Sequence, residues 1–200
     1  GYLSLVFMET AFAISWERWE GTIEYTFMAP VRRITHLFGI CLFAIGYGLA
    51  RTLVVLVIAA FTFGLDFSHA NMPAALAVLA ASTVPLIGLS IFTAVLPLLS
   101  PQKGEQMSIA VQGFLLLVSG VYYPLSVLPI PMQIAGAASP LTYALAGIRG
   151  SLLDGSSLGT ELPAIAILLA MGVILIPASI AVFAWAENRA KRLGLLKRSG

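Results

Sequence analysis

Three carboxylates, Glu17, Glu20 and Glu24, recur at i, i+3 and i+7. On a helix that spacing puts them on one face. Such a face can pair with basic side chains of a protein partner, or simply be solvated while its helix anchors at a membrane surface. The aromatics around it, Trp16, Trp19, Tyr25 and Phe27, are of the kind that sit at headgroup level. Pro30 ends the helix, so 17–28 reads as an amphipathic segment lying on the membrane surface. Two other charges, Glu9 and Arg51, stand inside apolar stretches, where an ionisable group is costly and often functional. Seven residues at about 1.5 Å each put Glu9 roughly 10 Å deep, whereas Arg51 lies near the far side of the midplane. A direct pair therefore requires both side chains to reach toward each other. Backbone groups, or polar neighbours such as Gln112, Ser90 and Thr93, are the other possible partners.

Other chemistry is missing from the pattern. There is no Gly-rich loop followed by Lys-Ser/Thr, so the chain has no nucleotide-binding P-loop, and no His-Glu-x-x-His metal motif. His36 and His69 flank one apolar stretch and are too far apart to share a metal. Gly88-Leu89-Ser90-Ile91 lacks the second glycine of a nucleophile elbow. No catalytic, metal or cofactor-binding residue is assigned. A single cysteine, Cys41, excludes an intrachain disulfide.

The elements that position these residues follow from composition. Apolar residues make up 59% of the 200, and charged residues only 10%. Soluble domains average about 45–50% and roughly 25%. Mean hydropathy is +0.96. The fold class is therefore all-α integral membrane. A span needs about 20 apolar residues. Five stretches are expected to cross: about 1–16, 37–63, 72–99, 107–123 and 163–186. Residue 1 is expected to lie inside a helix that begins upstream, and no basic segment marks a signal peptide. Of the 11 Lys and Arg, Arg18, Arg32, Arg33, Lys103, Arg189, Lys191, Arg192, Lys197 and Arg198 fall on alternate connections. That bias makes the first and third connections and the basic tail, 187–200, cytoplasmic. A cytoplasmic N-terminus then needs one span more, so the five are read as part of six. The tail lacks a nucleic-acid module, and anionic lipid is its expected counterion. No repeat divides the chain, and 1–200 reads as one membrane domain.

The stretch 119–159 is apolar but broken by Pro124, Pro129, Pro131 and Pro140 and by six glycines. Ser139-Pro140 suits a helix start, with Ser as N-cap and Pro at the first position, and that helix should run to about Leu153. Broken backbone at membrane depth survives only when buried in protein or lining a cavity. Two short helices dipping into the outer leaflet are expected, with Tyr122, Tyr123 and Tyr143 at the headgroup boundary.

Two sets of residues resemble a known family. Glu17-Arg18-x-x-Gly21-Thr22-x-Glu24, then Ala29-Pro30-Val31 and Gly39, is similar to the first cytoplasmic connection of type 2 ABC exporter permeases. Ser119-Gly120-Val121-Tyr122-Tyr123-Pro124, then Leu128-Pro129, Ser139-Pro140-Leu141-Thr142-Tyr143 and Arg149, is similar to that family's outer-leaflet segment. The resemblance implies a six-span permease that dimerises, as homodimer or heterodimer, in the inner (plasma) membrane. A separate cytoplasmic ABC ATPase subunit would bind the ATP. Glu17, Arg18, Glu20, Gly21, Thr22 and Glu24 would belong to its coupling helix. Tyr122, Tyr123, Pro124, Pro140, Tyr143 and Arg149 would belong to the exit segment, and Glu9 and Arg51 are candidates for the pathway. Apolar walls favour a hydrophobic or amphipathic cargo, drug-like or lipid-like, over a glycan or polysaccharide. An ion-coupled secondary transporter is the alternative from another class. It would need paired membrane carboxylates and broken helices in repeats.

Overall fold

The computed structural model describes residues 2–22, 25, 33–64, 70–100 and 103–193. Among them every regular element is helical. In chain order these are α1 (Tyr2–Glu20), α2 (Arg33–Phe63), α3 (Met72–Thr93), α4 (Val95–Leu99), α5 (Gly104–Val118), a 3₁₀ turn at Leu125–Val127, α6 (Ile130–Ala137), α7 (Pro140–Leu153) and α8 (Leu158–Arg192). Three stretches are long and apolar enough to cross a membrane: Thr35–Phe63, Met72–Leu99 and Leu158–Arg192. α5, with 15 residues, is apolar but shorter. α1 has the length, at 19 residues, but carries Glu9, Glu17, Arg18 and Glu20.

α3 is the centre of the bundle and packs against α1, α2, α7 and α8. Half of its most apolar window is buried, against 17% for α2 and α8. Its start is set locally: Asn71 caps it by accepting from the Ala74 amide at 3.1 Å, and Pro73 takes a first-turn position. Small residues then let the helices close up, as membrane packing requires in place of a hydrophobic drive. A Cβ on Gly88 of α3 would lie 2.8 Å from Leu175 Cβ of α8, and one on Gly172 of α8 would lie 2.5 Å from Val84 Cγ1 of α3. Each helix thus receives a branched side chain of the other at its own glycine. Val78 and Ala81 of α3 meet Ala144 of α7 and Leu168 of α8 in a separate buried cluster.

Several boundaries differ from the sequence reading. The helix expected to begin at Glu17 does not: residues 17–20 are the last turn of α1. Gly21, at φ +75°, ends it, and the Thr22 amide donates to the Glu17 carbonyl at 2.9 Å in a Schellman-type closure. The carboxylate repeat therefore does not lie on one helix over 17–28, and Glu24 is outside the described residues. The helix expected over 107–123 runs over 104–118 and stops at a turn through Gly120, φ +75°. α8 begins five residues before the expected 163 and continues to Arg192 through Pro163 and Pro177. The tail beyond 193 is outside the described residues.

Candidate functional site

The first candidate site gathers at the end of the bundle where α1 finishes. Ile14 of α1, Leu37 and Cys41 of α2, Ile91 of α3, Leu98 of α4, and Phe183 and Ala190 of α8 form one buried cluster. One turn beyond Ile14 is Glu17. Its Oε1 lies 2.8 Å from His36 Nε2, one residue before Leu37. The contact is an ion pair when His36 is protonated and a hydrogen bond when it is neutral. It clasps the last turn of α1 to the first turn of α2. Of the residues expected to couple, Glu17 is turned inward and Glu20 is exposed. Thr22 Oγ1 donates back to the Glu17 carbonyl. Arg18 sits on α1. Trp16 and Trp19 are exposed beside them, their ring centroids 5.6 Å apart.

Toward the middle of α1, three helices share a buried polar relay. Ser90 Oγ of α3 donates to Thr10 Oγ1 of α1 at 2.5 Å, and Thr10 Oγ1 lies 3.3 Å from Cys41 Sγ of α2. Polar side chains in an apolar bundle must find each other because no water is present to satisfy them. Ser90 is thereby committed to Thr10, and Thr93 to the carbonyls of Leu89 and Ser90. Neither serves Glu9 or Arg51, as the sequence allowed.

Those two charges both line a groove between α1, α2 and α5. Its volume is about 320 Å³, and it is lined by Ser4, Leu5, Met8, Glu9, Phe12, Arg51 and Gln112. The antiparallel pairing of α1 and α2 sets Glu9 and Arg51 apart along the axis: Thr10 faces Cys41 and Tyr2 faces Gly48, so Arg51 stands level with the first residues of α1, about two turns from Glu9. The depth gap expected from sequence remains, and no Glu9–Arg51 ion pair forms among the described residues; the two side chains share only the lining of the groove. Gln112 Nε2 donates to the Ser4 carbonyl at 3.0 Å and fastens α5 to α1.

At the opposite end lies the broken segment. Ser139 does precede α7, but its hydroxyl does not cap the helix. It bonds Ser119 Oγ at 2.7 Å, joining the start of α7 to the end of α5. Arg149 Nη1 and Nη2 donate to the carbonyls of Gly120 and Val121, at 3.2 and 3.4 Å. Tyr143 Oη donates to the Ala137 carbonyl at 2.9 Å, closing the turn between α6 and α7, while Tyr122 and Tyr123 are exposed. Pro124 stands before the 3₁₀ turn and Pro140 opens α7. Sequence reasoning missed Glu161. This carboxylate, 8% exposed in the first turn of α8, rests on α7: a Cβ on Gly150 would lie 2.8 Å from its Oε1, and one on Gly147 would lie 3.0 Å from its Oε2. The signal was Gly147 and Gly150 at i, i+3, a flat strip on the helix preceding an acidic first turn.

A family model described as ABC-2 type transporter matches residues 2–153, from α1 through α7. The chain belongs to that family. No curated protein and no solved structure matches it. Family membership makes this chain a membrane-embedded ABC transporter permease, not itself catalytic, with an ABC ATPase subunit as its partner. The permease thus depends on another chain for its energy.

Proposed function

We propose that this permease works in export, carrying a hydrophobic or amphipathic cargo out of the cytoplasm as half of a six-span-per-subunit dimer. The end of the bundle bearing Glu17 and Glu20 faces the cytoplasm and docks on the ATPase, and the basic C-terminal tail lies on the same side, against anionic lipid of the inner membrane. Residues 119–159 form the outer-leaflet gate.

The observation that carries this reading is the Glu17–His36 contact at 2.8 Å, seated on the cluster that joins α1, α2, α3, α4 and α8. Movement applied to the connection between α1 and α2 reaches both helices at once and passes through that cluster to α8. Glu20, exposed, presents the carboxylate for docking, whereas Glu17 holds the two helix ends in register. Five helices moving as a unit at one end would tilt α7 and the Arg149-anchored turn at the other.

The test is co-purification of the ATPase with full-length permease. Glu20→Lys should reduce recovery of the ATPase several-fold, while the variant inserts in the membrane at the normal level. Undiminished recovery with Glu20→Lys, and with Glu17→Lys beside it, would remove this end of the bundle as the docking site.

A further inference from the structure

The groove between α1, α2 and α5 has a composition that selects for one class of ligand. Arg51 and Glu9 both line it, yet neither side chain has a hydrogen-bond or ion-pair partner among the described residues. Arg51 is exposed just past the middle of the apolar stretch Thr35–Phe63, and Glu9 is half-buried on α1. An unpaired guanidinium and an unpaired carboxylate in surroundings of low dielectric are both costly. Gln112 forms the third wall: its amide N–H donates to the Ser4 carbonyl, which sets α5 against α1, and its amide oxygen can accept from a ligand. Beside the charges stand Leu5, Met8 and Phe12, the last exposed.

We propose that this groove binds a zwitterionic amphiphile. Its anionic group sits on Arg51, which suits a phosphate or carboxylate through its forked donors. Its cationic group sits on Glu9, and its apolar part lies along Leu5, Met8 and Phe12. A ligand with a single charge would leave one protein charge unpaired, and a neutral one would leave both. This deepens the transport reading by naming the cargo class, and it rests on that reading for calling the occupant cargo. The same chemistry describes a zwitterionic phospholipid of the bilayer, so the two sources are separated below.

The experiment uses full-length permease in lipid nanodiscs without the ATPase, with binding measured by calorimetry against empty discs. Four probes share one alkyl chain: decylphosphocholine, decyl phosphate, decyltrimethylammonium and decyl maltoside. The expected result is that decylphosphocholine binds at least about tenfold tighter than each of the others, the margin of one charge-assisted contact. Arg51→Gln should erase its margin over decyltrimethylammonium, and Glu9→Gln its margin over decyl phosphate. Arg51→Lys, which keeps the charge, should preserve the ranking. Equal or tighter binding of any other probe by the wild type overturns the proposal, and this comparison decides even if a variant fails to insert. So does a ranking left unchanged in both glutamine variants. Discs of phosphatidylcholine and of phosphatidylglycerol distinguish the sources. Equal affinity in both assigns the groove to dissolved cargo, and weaker binding in phosphatidylcholine assigns it to bilayer lipid; either upholds the zwitterion chemistry. Because the ATPase is absent, failure here leaves the docking test of the transport reading untouched.

Discussion

Removing either half of the Glu17–His36 clasp should loosen the link between α1 and α2 without unfolding the bundle. The side chains are 19% and 35% exposed, respectively, and meet at 2.8 Å. That partial exposure puts the contact at the upper end of surface ion pairs, about 0.2–1 kcal/mol, and below buried hydrogen bonds to charged groups, about 1.5–3 kcal/mol. A coupling energy of about 1 kcal/mol corresponds to roughly fivefold in an equilibrium constant. The assay is a double-mutant cycle on Glu17→Ala and His36→Ala, read as cargo moved per ATP hydrolysed in the assembled transporter. Each single variant should lower that ratio about fivefold, and the double variant should lower it no further. Thermal unfolding of the permease should shift little, because the hydrophobic cluster under the clasp is intact. The reasoning is refuted if the two losses multiply, or if the ratio is unchanged in both single variants.

Three further outcomes follow from the packing. Ser119→Ala or Ser139→Ala alone should destabilise by about 1–3 kcal/mol, because each strands a buried hydroxyl, whereas the double alanine should be milder than the sum; denaturant unfolding of the four proteins measures this. Cys41, fully buried and bonded to Thr10, should resist maleimide in the folded protein and label only after denaturation; rapid labelling of folded permease would contradict the relay. Gly88→Ala puts a Cβ 2.8 Å from Leu175 Cβ at the α3–α8 crossing and should cost about 1–3 kcal/mol, while Gly113→Ala, with open space around it, should be neutral or stabilising in the same unfolding experiment.

Much of the architecture was legible because lipid imposes a simple rule: uninterrupted apolar runs become helices. The long helices at 72–99 and around 37–63 follow from that rule alone. So does the second helix of the broken segment, where Ser139-Pro140 and the loss of helicity after Leu153 set both ends. What failed was local backbone chemistry. The spacing of Glu17, Glu20 and Glu24 suggested one face, but Gly21 takes a left-handed φ and ends the helix between them. A glycine three residues before a third carboxylate is a stop signal that periodicity does not register. The groove was half legible. Glu9 and Arg51 stood out as charges in apolar runs, and Gln112 was named with them as a neighbour. That both line one groove depends on how α1, α2 and α5 pack, which no local pattern encodes. Ser139 was recognised as a helix start, yet its hydroxyl serves Ser119, twenty residues away. Glu161 was missed because its importance lies in the glycine strip of α7 beneath it.

The central claim is that an ATPase partner drives cargo movement through this permease, and transport into inverted vesicles tests it most directly. Vesicles carrying both subunits should accumulate a zwitterionic amphiphile when ATP is supplied, with ion gradients collapsed by ionophores, and should stop when the ATPase is inactivated. Accumulation driven by an imposed proton or sodium gradient, with the ATPase inactive and no ATP present, would contradict the account.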